Sequence, residues 1–276
     1  MVEASVRTVI AAMEAMYPPA LAADWDAVGL TVGDPAAGVR RVLFAVDPVM
    51  PVVEEAIGWQ ADLIITHHPL LLHPVHSVAT STAKGAVIDR LIRSGIALFT
   101  AHTNADHANP GVSDVLARLL GLQGLRPIDP LAQDPAHLGT GRVGELGEPV
   151  TLEQFAEHIA TVLPATAHGV RVAGDPQATV RTVAVCGGAG DSLLSAAAGV
   201  ADVYVTSDLR HHRAQDHLAG GGCALIDIAH WAAEAPWLDD AADRLRAELE
   251  RQGSSVATRV SRTPTDPWTI HRGSAS

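Results

Sequence analysis

Hydrophobic positions along the chain follow two patterns, one at helical spacing and one in short continuous runs. From Val6 to Met16 the apolar residues keep helical spacing, and Pro18-Pro19 ends that helix. Short apolar runs predict strands at residues 41–47, 61–68, 95–102, 180–188, 201–208 and 223–230, and amphipathic segments predict helices at 51–60, 82–94, 112–121, 151–163 and 239–253. Strands that alternate with helices predict α/β domains with mostly parallel sheets flanked by helices.

Residues 123–150 interrupt this alternation, because they are rich in proline, glycine and aspartate. We place a domain boundary there, with a first α/β domain at 1–125 and a second at 126–276. A helix restarts behind Thr151, the expected N-cap, with Gln154 at the third position. Residues 256–270 are a candidate final strand, so that a segment from about 254 to 270 is placed to pair back with the first domain.

The two halves of the chain repeat a short pattern. The segments that align are ADLIITHH (61–68) with ADVYVTSD (201–208), and SGIALFTAHTNAD (94–106) with GGCALIDIAHWAAE (221–234). In the second pair a strand ends in Ala-His and a carboxylate follows four residues later, as in His102 to Asp106 and His230 to Glu234. We interpret the repeat as an internal duplication that gives two similar domains. Chance similarity between two sheet segments is the alternative.

Polar side chains follow the predicted strands, at the edge where open parallel sheets bind ligands. The first half offers Asp47, His67, His68, His102 and Asp106, and the second offers Asp208, His211, His212, His230 and Glu234. If a duplicated domain faces its twin, both sets meet in one cleft. Imidazole together with carboxylate suits zinc, manganese, iron, cobalt or nickel, whereas calcium and magnesium favour oxygen ligands alone.

The adjacent histidines predict more than one metal ion. Neighbouring residues of an extended chain point to opposite sides, so one ion does not easily take both His67 and His68. Two ions about 3.5 Å apart could take one each. A carboxylate can bridge such a pair, and Glu234 and Asp106 are the candidates. His230 and Glu234 share one face if a helical turn begins there. We therefore expect two divalent metal ions per chain.

Other interpretations remain open for several of these residues. Asp208 after Thr206 also fits a simple helix N-cap. The run GGAGDSLLSAAAG (187–199) is either a phosphate cradle or a tight strand-to-helix turn; we expect the turn, because the run fits neither the Walker pattern nor the dinucleotide fingerprint. Seven further histidines are interpreted as capping or surface residues, namely His73, His76, His107, His137, His158, His168 and His217.

Net charge and composition narrow the class of partner. A net charge of -12 and a pI near 5.5 argue against a surface for nucleic acid or anionic lipid. No apolar run approaches the roughly 20 residues of a membrane helix, and the first residues lack the basic region of a signal peptide. Two cysteines, Cys186 and Cys223, cannot form a disulfide framework. We therefore expect a cytoplasmic protein that acts on a small molecule.

Several segments together resemble one known family, the type 2 GTP cyclohydrolase I homologues, also called Nif-three-like proteins. They run in family order along nearly the whole chain and are DWDAVGLTVGDP (24–35), THHPLLLHPVHS (66–77), AHTNAD (101–106), GVSDVLARLLGL (111–122), VCGGAGDSLL (185–194), TSDLRHH (206–212), DIAHWAAE (227–234) and TDPW (265–268). No single motif is decisive, but the set is specific.

The resemblance implies two α/β domains with a dinuclear metal site in the interdomain cleft. The ligands it implies are His67, His68, Asp106, His230 and Glu234, with Glu234 bridging. This set drops His102. The residues that match family positions near the site are His102, Thr103, Asn104, Asp208 and His212. Many relatives form hexameric rings, so a homohexamer is expected. Some relatives carry an inserted domain, for which residues 123–150 leave no room.

Three positions depart from the family pattern. Ser207 stands where the family usually has glycine, His211 where it has tyrosine, and Ala229 where it has glycine before the metal-binding histidine. If that glycine needs a positive φ or a close backbone approach, Ala229 costs stability or shifts the ligand. None of the five implied ligands is changed, so the departures bear on substrate preference.

The function implied by the resemblance is metal-dependent hydrolysis of the GTP cyclohydrolase type 2 kind, with water attacking the ring of a purine nucleotide or a related substrate. His102, Asp208 and His212 are the candidate catalytic residues for proton transfer. The alternative is a metal-binding regulatory or partner protein without catalysis. An exchangeable water at the metal favours the enzyme, and a filled coordination sphere favours the alternative.

Overall fold

A computed structural model describes residues 3–273, which divide into two compact units. The first unit comprises residues 3–108 and 238–265, and the second comprises 109–237 and 266–273. Each unit contains a β-sheet flanked by helices, which confirms the predicted α/β class. The division falls earlier in the chain than the boundary at residue 125 that the composition suggested.

The secondary structure along residues 3–273 follows one order. The first elements are β1 (Ala4–Ser5), α1 (Val6–Met16), a 3-10 helix (Pro19–Leu21), β2 (Gly29–Val32), β3 (Gly38–Val39), β4 (Arg41–Ala45), α2 (Met50–Trp59), β5 (Leu63–Thr66), α3 (Ala83–Ser94), β6 (Ala97–Thr100) and α4 (Thr103–His107). There follow α5 (Val112–Leu119), β7 (Leu122–Pro130), β8 (Gly139–Thr151), α6 (Leu152–Val162), β9 (Val170–Ala173), β10 (Thr179–Ala189), a 3-10 helix (Asp191–Leu193), α7 (Leu194–Ala198), β11 (Val203–Ser207), α8 (His211–Ala219), β12 (Ala224–Ile228), α9 (His230–Arg251) and β13 (Ala257–Val260). None of these helices combines the length and apolar character that a membrane crossing requires.

The first unit is built on a five-stranded sheet in the order β13-β4-β5-β6-β2. Strands β13, β4, β5 and β6 pair in parallel, and only β2 is antiparallel to its neighbour. Every residue of β5 and of β6 is buried, as expected of strands covered on both faces. The carboxyl ends of β4, β5 and β6 therefore lie side by side at one edge of the sheet.

Local signals fix the helix between β5 and β6. The Thr82 hydroxyl accepts from the amide N–H of Gly85 at 3.1 Å and caps α3 at its N-terminus. Gly95 ends the helix with φ +67°, a left-handed conformation that suits glycine. On the buried face, Val87, Ile88 and Leu91 pack into the core of the first unit. Because α3 ends at Gly95, the chain is free to begin β6 at Ala97.

The second unit is built on a six-stranded sheet in the order β7-β8-β10-β11-β12-β9. Its centre, β10-β11-β12, is parallel, but β7, β8 and β9 join antiparallel. The predicted mostly parallel character therefore describes the first sheet and only the centre of the second. The departure has two sources: residues 123–150, expected as a domain boundary, form the hairpin of β7 and β8, and β9, where no strand was predicted, joins the other edge antiparallel.

Glycines in this hairpin allow the two strands to pack closely; they do not form a flexible linker. A Cβ added at Gly139 would come within 2.2 Å of the Asp129 carbonyl oxygen, and one at Gly144 would come within 2.7 Å of the Gln123 carbonyl oxygen. The strands approach so closely only because these positions lack a side chain. Composition alone does not separate this use of glycine from a loop.

The core of the second unit explains why the chain divides near residue 108. Leu116, Leu120 and Leu122 pack with Val183 and Val203 in one buried cluster, so α5 belongs to the second sheet. A buried ion pair joins the same elements, with the Arg142 guanidinium 2.8 Å from the Asp114 carboxylate. Cys186 and Cys223 are not joined in a disulfide.

Candidate metal centre

Strand β5 delivers His67 and His68 to the edge of the first sheet. His67 is almost completely buried, and its Nδ1 lies 3.0 Å from the carbonyl oxygen of Ala101. His68 is 22% exposed, and its Nδ1 lies 2.7 Å from the Asp47 carboxylate. A carbonyl or carboxylate oxygen can only accept, so in each ring Nδ1–H donates. With Nδ1 held in this way, Nε2 is the nitrogen of each ring that would coordinate a metal ion.

Two residues after β6 ends at Thr100, His102 is the N-cap residue of the short helix α4, which carries Asp106. The amide N–H of Asp106 donates to the carbonyl oxygen of His102 at 3.0 Å, which closes the turn of α4 that holds both. The Oδ1 atom of Asp106 lies 3.7 Å from Nε2 of His67. His102 donates from Nδ1 to the Asp26 carboxylate at 2.8 Å. Its Nε2 is therefore also left for a ligand or a proton.

Three imidazoles of the first unit converge. The ring centroids lie 5.0 Å apart for His67 and His68, 5.2 Å for His67 and His102, and 5.6 Å for His68 and His102. One ring nitrogen from each lies within 4.8 Å of the others, close enough to hold a metal ion. Trp25, an exposed side chain, sets the edge of its indole against His102 with centroids 6.0 Å apart.

Asp26 is a further carboxylate of the candidate site, and the strand-end pattern of the sequence did not predict it. Its carboxylate accepts from Nδ1 of His102 and from both the amide and the hydroxyl of Thr103. Burial by itself raises the pKa of Asp26, but the hydrogen bonds from His102 and Thr103 outweigh it and hold that pKa well below 3.8. The carboxylate is therefore ionised at neutral pH and fixes the tautomer of His102.

In the second unit, β11 and α9 bring together Asp208, His230 and Glu234. The carboxylate of Asp208 accepts from Nδ1 of His230 at 2.6 Å, which lowers the pKa of Asp208. Nε2 of His230 lies 3.0 Å from Oε1 of Glu234, one helical turn along α9. The helical turn that the four-residue spacing required is present. Asp208 adopts a left-handed conformation with φ +57°, so its role is not that of a simple N-cap in extended backbone.

The glycine run after Cys186 lies directly behind this pair. Gly188, with φ +70°, belongs to the end of β10. A Cβ added there would come 2.5 Å from Oε1 of Glu234 and 3.2 Å from Nε2 of His230. The backbone thus forms a cradle for the histidine and carboxylate that only glycine permits. Thr206 holds the cradle in place by donating to the Gly188 carbonyl oxygen at 3.1 Å.

His212 is exposed, whereas two of the three positions that depart from the family pattern, Ser207 and Ala229, are buried. His212 is exposed on the first turn of α8, and its ring contacts that of His211 at a centroid distance of 5.0 Å. Within residues 3–273 it makes no hydrogen bond to Asp208 or His230. Ala229 is buried directly before His230. Ser207 is fully buried, and its hydroxyl oxygen has no hydrogen-bond partner in the described part of the chain.

The donor chemistry of both units fits divalent transition-metal ions. Neutral imidazole Nε2 atoms and carboxylate oxygens are the ligands that zinc, manganese, iron, cobalt and nickel take in proteins. Each histidine donates its other ring N–H to a carboxylate or a backbone carbonyl, as metal-binding histidines do. The residues present therefore fit such ions.

A family model described as Duf34/NIF3 (NGG1p interacting factor 3) matches residues 4–267. The chain is 53% identical to a Streptomyces coelicolor protein named GTP cyclohydrolase 1 type 2 homolog, over 97% of this chain and 94% of the relative. A Mycobacterium leprae protein of the same name is 37% identical, over 97% of this chain and 96% of the relative.

Solved structures resemble nearly all of the chain. A Bacillus cereus protein related to NIF3 superposes with a TM-score of 0.91 at 28% identity, covering 97% of this chain and 99% of its own. The Staphylococcus aureus protein SA1388 superposes with a TM-score of 0.89 at 28% identity and with the same coverage.

Proposed function

Because the chain belongs to the Duf34/NIF3 family, we propose that it is a hydrolase dependent on two divalent metal ions, of the GTP cyclohydrolase 1 type 2 kind. The proposed metal ligands are His67, His68, Asp106, His230 and Glu234. The proposed substrate is a purine nucleotide or a related small molecule whose ring is opened by water. Zinc, manganese, iron, cobalt and nickel all suit the ligands.

The observation that carries the proposal is the fixed orientation of the histidine rings. His67, His68 and His230 each hold Nδ1–H on an oxygen acceptor, so Nε2 is the nitrogen that would coordinate a metal ion. Two of the proposed ligands lie close to these rings, with Asp106 3.7 Å from Nε2 of His67 and Glu234 3.0 Å from Nε2 of His230. Asp47 and Asp208 supply the acceptors for two of the rings, and such partners raise the basicity of the coordinating nitrogen.

His102 is the residue that we propose for proton transfer. It lies beside His67 and His68 without belonging to the five ligands, and Asp26 holds its Nδ1–H. Its Nε2 can therefore accept a proton from water and return it to the substrate. Asp208 is better placed to position His230 than to carry a proton itself. His212 stays a weaker candidate, because its described contact is with His211.

The proposed hydrolysis adds one water molecule to the substrate and opens one carbon–nitrogen bond of its ring. Bound divalent ions would supply a water of lowered pKa and polarise the group that is attacked. In a guanine nucleotide, the water oxygen adds to C8 and the C8–N9 bond opens. One proton passes to N7 and one to N9, and the carbon remains on N7 as a formyl group. His102 is proposed to move these protons at its Nε2.

The charge of the chain restricts how an anionic substrate is held. The net charge of -12 repels a polyphosphate at long range. Arg210, one of the few arginines near the end of β11, already pairs with Asp191, with 2.8 Å between Nε and the carboxylate. The anionic group of the substrate would therefore be held by the proposed metal ions or by a cation other than Arg210.

The first test is metal content, measured by elemental analysis of protein purified without chelator or histidine tag. We expect about two ions per chain in the wild type and fewer in His67→Ala. His158→Ala is the matched control, because His158 is an exposed histidine of α6. Absence of metal in the wild type, even after reloading with zinc, manganese or iron, would refute the proposal. Light scattering of the same samples tests the expected homohexamer.

A second test separates catalysis from a purely structural or regulatory metal site. Glu234→Ala is compared with the wild type for opening of the guanine ring of GTP, detected by mass spectrometry as the N7-formyl product, and for thermal unfolding with and without metal. An enzyme should lose turnover and stay folded, whereas a structural site should lose thermal stability together with its metal. Metal-loaded wild type that opens no purine ring while binding two ions supports the regulatory alternative.

A further inference from the structure

A cavity of about 430 Å³ opens beside His68 within the first unit. His68 and Asp47 form one part of its wall. Most of the remaining wall is apolar, formed by Pro48, Val49, Met50, Pro69, Leu70 and Val87. Cavities of this size and character accommodate small organic ligands. The cavity thus lies against a proposed metal ligand, where the body of a substrate would extend from the group that reacts.

Lys84 is the cation of this cavity, and its position has no structural explanation. It is the single lysine of the chain, and its side chain is exposed on the wall of the cavity. It lies in the first turn of α3, where a positive charge is unfavourable beside the positive end of the helix dipole. It forms no salt bridge with any residue from 3 to 273.

We propose that this cavity is a substrate subsite for a small organic anion with one ring-sized apolar body and one carboxylate or phosphate group. The inference rests on the proposed function, whose substrate class it narrows. The apolar wall takes the body, Lys84 binds the anionic group as a point charge, and the group to be hydrolysed faces His68. One lysine matches one anionic group, so a monophosphate fits the subsite better than a triphosphate.

The probe for this subsite is 8-anilinonaphthalene-1-sulfonate, which has an apolar aromatic body and one anionic group. Its uncharged counterpart, N-phenyl-1-naphthylamine, lacks the sulfonate. Both are titrated into chelator-treated, metal-free full-length protein and followed by fluorescence. We expect one saturable site for the sulfonate. Lys84→Gln should weaken the sulfonate about tenfold, the effect of one lost charge-assisted contact, and leave the uncharged probe unchanged. Lys84→Arg should retain most of the affinity.

A second pair of variants locates the binding. Ala86→Trp fills this cavity and should abolish binding of both probes. Ala214→Trp fills a cavity of similar volume in the second unit and is the matched control that should leave binding unchanged. Circular dichroism and thermal unfolding check that each variant is folded. Binding that survives Ala86→Trp in a folded protein, or that Ala214→Trp removes, would overturn the proposal. Equal affinity of Lys84→Gln and wild type for the sulfonate would overturn it independently of folding.

The single lysine gives a direct readout. Acetic anhydride should modify Lys84 in the free protein, and the sulfonate should slow that modification at least severalfold, as measured by peptide mass spectrometry. An unchanged rate would count against the subsite. Because these measurements use metal-free protein, they separate the two proposals. Probe binding without metal-dependent hydrolysis overturns only the proposed function, and two bound metals without probe binding overturn only the subsite.

Discussion

Replacing Gly188 by alanine tests whether the backbone cradle behind His230 and Glu234 matters for metal binding. Alanine at φ +70° costs about 1–2 kcal/mol for the left-handed conformation alone. The new Cβ would also lie 2.5 Å from Oε1 of Glu234, a distance that forces one of them to move. Glu234 is 2% exposed, so its carboxylate cannot simply swing into solvent. We expect the carboxylate to be displaced from His230 and the metal affinity to fall about 10–100-fold.

The matched control is Gly169→Ala in the same unit. Gly169 has φ +68°, but a Cβ there meets nothing within 4 Å, so this variant has the conformational cost without the collision. Metal affinity is measured by titration against a chelator of known affinity, and stability by urea unfolding of the metal-free proteins. We expect Gly169→Ala to lose stability and bind metal normally. If Gly188→Ala also binds metal like the wild type, the carboxylate it displaces is not a ligand.

Three further predictions concern charged partners. Asp47→Asn should weaken metal binding about 10–100-fold in chelator competition, because the carboxylate fixes His68; an unchanged affinity would contradict this. The pKa of Asp26 is lowered in the folded chain, so its stabilisation is complete above about pH 4 and is lost as pH falls towards the folded pKa. Asp26→Asn should therefore reduce the free energy of urea unfolding at pH 7 and flatten its decline between pH 4 and 2.5; a parallel decline would show that another group is responsible. Arg142→Met leaves the buried Asp114 carboxylate unpaired and should cost about 3–5 kcal/mol in urea unfolding, a loss that Arg142→Met with Asp114→Leu should largely restore; a cost below about 1 kcal/mol in the single variant would refute this account.

The helices and the central strands could be predicted from periodicity, because their signals are local. The Thr151 cap with Gln154 is one example, since each side chain bonds the other's backbone N–H as expected. The hairpin of β7 and β8 could not, because its glycines allow close packing of strands in a sequence that otherwise resembles a loop. That packing depends on partners distant in sequence.

Some residues of the candidate site could be predicted from the sequence, and others could not. His67, His68 and His102 follow predicted strands, and the parallel pairing of β5 with β6 is enough to bring them together. Asp26 lies 76 residues before its partner His102, in a stretch without regular secondary structure, so no spacing rule connects the two. The segment that contains it entered only through the family resemblance. Gly188 belongs to the glycine run that the sequence analysis pointed out. The side chains that leave no room for a Cβ there, His230 and Glu234, come from α9.

The pairing of β13 with β4 has a consequence for how the protein is made. Ala257–Val260 is the parallel neighbour of Arg41–Ala45, so β4 remains an open edge until about 150 further residues have been synthesised after residue 108. At elongation rates of about 5–20 residues per second, this interval lasts roughly 8–30 s. An open, apolar strand edge is a template for association with other chains. During synthesis, the first unit is therefore expected to need protection of this edge, by a chaperone or by rapid folding of the second unit. A chain truncated before residue 257 lacks β13 and should aggregate.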